Sequence, residues 1–117
     1  MNRGEIWTVA GGSPYAGKPR PLAILQNDRF TRAESVTGCP LTTVNIDGRL
    51  FRIPIFPDER NGLRSPSWLM ADKLLTIPRK NLGTLIGRID DTTLAELSHA
   101  IAVFLDLATD PPTRRRR

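Results

Sequence analysis

The hydrophobic period of this chain changes once, near residue 90, and that switch limits its possible folds more than any other feature. Before it, apolar residues come in short β-prone runs broken by glycine, proline and aspartate. After it, they recur at helical spacing. "GEIWTVA" (4–10) reads as a strand and "GGSPYAGKP" (11–19) as a loop. "PLAILQ" (21–26) is a continuous apolar run of the kind buried on both faces. "NDRFTRAES" is a turn, and "VTGCPLTTV" (36–44) is another β-rich segment. Asp47-Gly48 signals a hairpin turn ahead of a strand in which Phe51, Ile53 and Ile55 point one way and Arg52 and Pro54 the other. Pro54 has no N–H for a ladder, so this strand lies at an edge or is interrupted. A second loop, "PDERNGLRSPS" (57–67), precedes "WLMADKLLTI" (68–77), a strand pair or a strand with a turn in it, and "NLGTLIGRI" (81–89) closes the sheet.

From Asp90 or Asp91 as N-cap, Leu94, Leu97, Ile101, Phe104, Leu105 and Ala108 follow one helical stripe, stopped at "TDPP" by Pro111 and Pro112. Val103 and Leu107 fall off that stripe, which points to a dimer contact on a second face. Several short strands followed by one amphipathic helix, without an internal repeat, predict a mainly β fold: a small antiparallel barrel plus a C-terminal helix. Residues 1–109 form the expected single domain and 110–117 a disordered Pro/Arg-rich tail.

The chain is long enough for one real core. Its lone Cys39 cannot form an internal disulfide, which fits a reducing cytosol, and its simplest role is that of a small buried apolar residue. The N-terminal "MNRGEIWTV" lacks a signal-peptide core and no apolar run approaches a membrane span, so a cytoplasmic location without membrane contact is expected. The formal net charge is +5, but four of those charges are Arg114–Arg117, leaving +1 for residues 1–113. The tail attracts any polyanion without choosing among them. One Cys and one His offer no metal-site spacing, and no cofactor motif is present. Asp90-Asp91 reads as helix capping, Asp58-Glu59 as a solvated loop, and His99 as a solvent-facing or partly packed helical residue.

In "GKPRPLAILQND" (17–28), Pro19 and Pro21 stiffen the backbone on both sides of Arg20 at the mouth of an apolar run. One nuclease chemistry suits a chain with neither metal ligands nor a reactive cysteine. RNA carries its own nucleophile, the 2′-OH, and needs only to be oriented and its phosphorane charge stabilised. An arginine supplies a permanent charge and a planar fork for phosphate oxygens, while its high pKa makes it a poor general acid. The hydroxyls of Thr42 and Thr43 can complete such a site, although on spacing alone the better reading is β-branched strand residues facing solvent.

Taken in order, "RGEIWTV", "GKPRPLAILQND", "VTGCPLTT", "NGLRSPSWLMADKLLTI" and "IGRIDDTTLAELSHAIAVFLDL" resemble the MazF/PemK (Kid) family of toxin endoribonucleases, across roughly residues 3–108. The resemblance implies an SH3-like antiparallel barrel of the MazF/CcdB type with a C-terminal helix, usually homodimeric. It implies metal-independent, sequence-specific cleavage of single-stranded RNA to 2′,3′-cyclic phosphate and 5′-OH ends, and neutralisation by a cognate antitoxin with an acidic, flexible tail. Arg20 matches the family's catalytic arginine and Thr42 its catalytic Thr/Ser. Gln26 and Asn27 match a Gln-Asn-Asp segment that either touches substrate or shapes the turn. The 11–19 loop, with Tyr15 and Lys18, is expected to cover the RNA groove, Tyr15 as a base-stacking residue. Thr43 and Asp72 complete the expected substrate-binding set, Asp72 being equally readable as a buried structural aspartate. A second functional arginine of PemK/Kid-like members, two residues before that aspartate, is replaced here by Met70. Two other classes stay open: a CcdB-like topoisomerase poison, and an inactive SH3-like module that binds RNA or a partner.

Overall fold

In the computed structural model of the protein, which describes residues 1–10, 20–44 and 51–109, seven strands and one α-helix follow in chain order. They are β1 (Glu5–Val9), β2 (Arg20–Ile24), β3 (Ser35–Thr42), β4 (Arg52–Ile55), β5 (Ser67–Met70), β6 (Leu75–Pro78), β7 (Leu82–Arg88) and α1 (Asp91–Phe104). All strand pairs are antiparallel, in the order β4-β5-β3-β2-β1-β7, with β6 also on β3. The expected mainly β architecture with a terminal helix is what forms. The Asp47-Gly48 turn and the 110–117 tail lie outside the described residues.

Strand β3 organises the sheet. One edge pairs with β2 from Gly38 to Pro40. The other edge serves two strands in succession: β6 along Ser35–Gly38, then β5 at Leu41 and Thr42. β5 and β6 are therefore one strand line interrupted at residues 71–74, where the chain turns out of the ladder. The 68–77 segment is thus the strand with a turn in it. β2 is enclosed as its composition predicts, since Leu22, Ala23, Ile24 and Leu25 are all buried. Alternation sends Ala23 and Leu25 into a core with Ile6, Cys39, Leu41, Ile53, Leu69 and Ile89. Pro54 sits, exposed, on β4, the terminal strand of the sheet order, where its missing N–H costs no internal ladder bond.

Helix α1 closes one face of that core. Asp90 is the N-cap, accepting the Thr93 N–H at 2.7 Å, and this bond holds its carboxyl below the usual range. Leu97 is fully buried against the core, flanked by Leu94, Ala100 and Ile101. The Phe104 ring meets Phe51 edge-on at 5.1 Å. The helix ends earlier than the prolines predict. Asp106 adopts the left-handed region (φ 61°), and the Leu107 N–H reaches back to the Ala102 carbonyl at 2.6 Å. A backbone cap therefore stops α1 at Phe104, and Leu105 and Ala108 lie beyond the helix instead of extending its stripe.

The loop after β4 is more than solvated connection. Asn61 is buried at 2% exposure; its side chain accepts the N–H groups of Asp58 and Leu63 and donates to the Phe56 carbonyl at 2.8 Å. The Arg60 carbonyl in turn accepts the Arg88 N–H at 2.8 Å, bringing this loop onto β7 from the opposite end of the sheet order. Gly62 is left-handed (φ 67°), and a Cβ there would collide with the Ile86 carbonyl. At the other side of the barrel, the Arg3 N–H donates to Asp28 at 2.7 Å, and the Arg3 guanidinium donates to the Leu25 carbonyl and to Ser98 of α1. We expect Asn61→Ala to cost about 2–3 kcal/mol, because it strands buried backbone donors. Urea unfolding checks this; a loss under 0.5 kcal/mol, the scale of an ordinary surface substitution, would contradict it.

Candidate functional site

The β2–β3 ladder runs Ile24↔Gly38, Ala23↔Cys39, Leu22↔Pro40, and stops there. The Leu25 N–H donates to the Thr37 carbonyl, so alternation makes Pro21 and Leu41 the next bonded pair, and Pro21 has no N–H to complete it. Continuing the same register by two residues sets Arg20 across from Thr42, on the face that carries Leu22 and Pro40. With the ladder ended, the strands part and a pocket of about 100 Å³ opens between them. Arg20 and Thr42 both line it; Val9, Leu22, Pro40 and Met70 contribute apolar wall. On the far side, Leu75 and Ile77 of β6 complete the lining. The result is a small apolar cleft with a guanidinium and a hydroxyl on it. Gly38 permits the close strand approach beneath, since a Cβ there would lie 2.6 Å from the Ala23 carbonyl oxygen.

Thr42 is half-buried, and its Oγ1 accepts the Val44 N–H at 3.1 Å. That bond fixes the side chain at the end of β3 while keeping the hydroxyl proton available as a donor. Thr43, the next residue, is exposed and does not line the pocket. Arg20 is the first residue of β2, paired with Val9 of β1, and its side chain is exposed. Pro21 follows it within the strand; Pro19, Tyr15 and Lys18 lie outside the described residues.

Gln26 and Asn27 belong to the other end of β2. Gln26 accepts the Thr37 N–H at 2.7 Å and donates to the Phe30 carbonyl at 2.9 Å. Asn27 caps the short 3₁₀ turn Asp28–Phe30 by accepting the Arg29 N–H at 2.9 Å. Both side chains are engaged in holding the turn, and neither lines the Arg20–Thr42 pocket.

Asp72 sits in the turn between β5 and β6. Arg52 of β4 donates to it from Nε at 2.9 Å and from the guanidinium fork at 3.4 Å, with side-chain exposures of 5% and 10%. This pairing holds the Asp72 carboxyl below its ordinary range. Arg52 lies on the face opposite Ile53, as alternation requires, but it is buried because of its partner. Its Cα partner across the strands is Met70, the residue standing where the resemblance expects a second arginine. The pocket therefore has a thioether wall at that position, and a guanidinium enters this region from the neighbouring strand. The sequence clue was an arginine inside an otherwise apolar strand, with its partner twenty residues away. Cys39 is buried beside this pair, and burial pushes its thiol up to about 12, which removes it as a nucleophile. His99 is exposed on α1.

Because the folded Asp72 has a lowered pKa, the pair's stabilisation is present above the unfolded carboxylate range and fades as pH falls through the folded value. Arg52→Met leaves a nearly buried carboxylate unpaired and should cost on the order of 2–3 kcal/mol at neutral pH. Asp72→Asn should flatten part of the loss of stability that the wild type shows below about pH 4. Unfolding curves across pH test both; identical acid limbs in wild type and Asp72→Asn would show that the pair contributes nothing.

Comparison with known proteins adds an independent line. Residues 2–105 match the family described as PemK-like, MazF-like toxin of type II toxin-antitoxin system. The chain is 44% identical over 108 residues to the probable endoribonuclease MazF of Mycolicibacterium smegmatis, covering 92% of this chain and 99% of that protein. Among solved structures, the Mycobacterium tuberculosis toxin MazF-mt6 superposes with TM-score 0.73 at 29% identity, covering 87% of this chain and 96% of that one. A mycobacterial endoribonuclease in complex with its cognate antitoxin superposes with TM-score 0.78 at 22% identity, over 94% and 99% of the two chains, which speaks to the fold.

Proposed function

The chain belongs to the PemK-like, MazF-like family of type II toxin–antitoxin toxins, and on that footing we propose that it is an endoribonuclease whose Arg20–Thr42 cleft cuts single-stranded RNA. The observation that carries the reading is the meeting of these two side chains in one small cleft where the β2–β3 ladder ends. A phosphate seated there receives charge-assisted donation from the Arg20 fork and a hydrogen bond from the Thr42 hydroxyl. The RNA supplies the nucleophile. Its 2′-OH loses a proton, the 2′-O–P bond forms, and the P–O5′ bond breaks as the departing oxygen takes up a proton. The products are a 2′,3′-cyclic phosphate and a 5′-OH, and no water or metal enters the balance. Charge building on the non-bridging oxygens strengthens both contacts in the transition state, so binding energy goes into rate. Strand placement keeps the donors preorganised.

In the same reading the active form is a homodimer. Phe104 at the end of α1 and Leu105 and Leu107 just past it are 43%, 50% and 76% exposed, an apolar surface suited to a second copy. The cleft's arginine also suits the acidic, flexible tail of a cognate antitoxin, which inhibits by occupying the RNA path. Growth arrest follows from RNA loss. No helix among the described residues is long and apolar enough to cross a membrane, and the cytoplasm, where RNA is met, is the expected compartment.

The test is end-group mapping of a long mixed-sequence RNA incubated with the protein in EDTA. We expect discrete cuts at one short motif, with 5′-OH and cyclic-phosphate ends, and a rate at least about 100-fold lower for Arg20→Ala at unchanged melting temperature. Intact RNA with a folded wild-type protein would overturn the reading, and full activity in Arg20→Ala would remove Arg20 from it.

A further inference from the structure

The row of side chains that holds Arg20 and Thr42 does not end at Thr42. On the other edge of β3, the register sets Trp68 of β5 across from Thr42, and Pro54 of β4 across from Trp68. Residues paired in this way point to the same face, with neighbouring strands about 4.8 Å apart. Arg20, Thr42, Trp68 and Pro54 thus form one line across four adjacent strands. Met70, two residues along from Trp68 on the same face, is already pocket wall.

Trp68 is only half-buried and Pro54 is exposed. Val44 and Phe56, just past the ends of β3 and β4 and at the same end of the sheet as Trp68, are 60% and 67% exposed. This apolar patch makes no contribution to the core and adjoins the cleft directly. Trp7 spends its indole N–H on Glu5 at 3.0 Å. Among the described residues the Trp68 N–H has no such partner, which keeps its polar edge open to a ligand.

We propose that Trp68 is a base-stacking residue, receiving the nucleobase next to the scissile phosphate on a platform extended by Pro54. The proposal rests on the reading that Arg20 and Thr42 grip that phosphate. A nucleobase is the occupant the geometry favours, because the platform begins one strand spacing from the phosphate donor and continues the same row. An unpaired base has the flat apolar face that an indole covers best, and polar edges that its N–H can address. Such stacking tolerates any base and adds affinity beside a site that a phosphate contact alone could not hold in place.

The experiment pairs cleavage kinetics with fluorescence. For Trp68→Ala we expect KM for RNA to rise about 10-fold or more with kcat within about 2-fold, and for Trp68→Phe, which keeps a flat ring, KM within about 3-fold of wild type. A random-sequence 2′-O-methyl RNA pool, which binds without being cut, should quench the wild-type tryptophan emission. Trp68→Phe, which retains Trp7, should lose that quench. An unchanged KM in Trp68→Ala, or a quench that persists in Trp68→Phe, overturns the proposal. A loss of activity that sedimentation traces to altered oligomeric state overturns it too, and assigns the patch to a second copy of the chain. If Trp68→Ala fails to fold, the Trp68→Phe quench decides. RNA that stays uncut by wild type yet quenches Trp68 would sink the catalytic reading and leave the platform standing; cutting without quench or KM effect would do the reverse.

Discussion

The cleft depends on one backbone group that is not there, the N–H of Pro21. Strand β3 is held on one side by β2 and on the other by β6 and then β5, so nearly its whole length is committed to ladders. The β2 side runs out of donors at Pro21, opposite Leu41, while on the β5 side Leu41 and Thr42 stay paired. Past that point β3 stays paired with β5 on one edge and parts from β2 on the other. Arg20 and Thr42 face each other across that opening, two residues past the last ladder pair, which is where a phosphate-sized gap can form without exposing the core.

An ion pair fixes the third wall. Residues 71–74 leave the β3 ladder between β5 and β6, and such an interruption invites slippage. Arg52 pins it from β4 by a two-pronged contact with Asp72. A nearly buried pair contributes little net stability compared with an apolar substitute, but it defines one arrangement and penalises others once either partner is lost. Met70, Leu75 and Ile77 flank the interruption and line the cleft, so the pair sets the cleft's shape without touching its contents. Asp72 holds Arg52, and through it the turn between β5 and β6.

Local features were legible from the residues alone. Pro54 announced an edge strand, Asp90 a helix cap, and "PLAILQ" a strand buried on both faces, because each depends on its neighbours in sequence. The Arg20–Thr42 partnership was readable as a family resemblance, but the row that joins it to Trp68 exists only once β3 has chosen its partners on both sides. Arg52–Asp72, the Asn61 hub and the Arg60–β7 closure escaped notice for the same reason: each joins elements whose register no local pattern specifies. The early end of α1 was hidden by an aspartate in a left-handed conformation, where glycine is the usual signal. Gln26 and Asn27 hold the turn after β2, the other role that their polar side chains allowed.

If Arg20 and Thr42 act on one phosphate, their contributions to rate must be coupled, and a double-mutant cycle on single-turnover RNA cleavage measures that directly. Each alanine substitution alone should slow cleavage by roughly 10²–10³. Removing both should slow it by far less than the product of the single losses, because either loss already disables the shared site. Losses that multiply independently would contradict the account and place the two residues in separate roles.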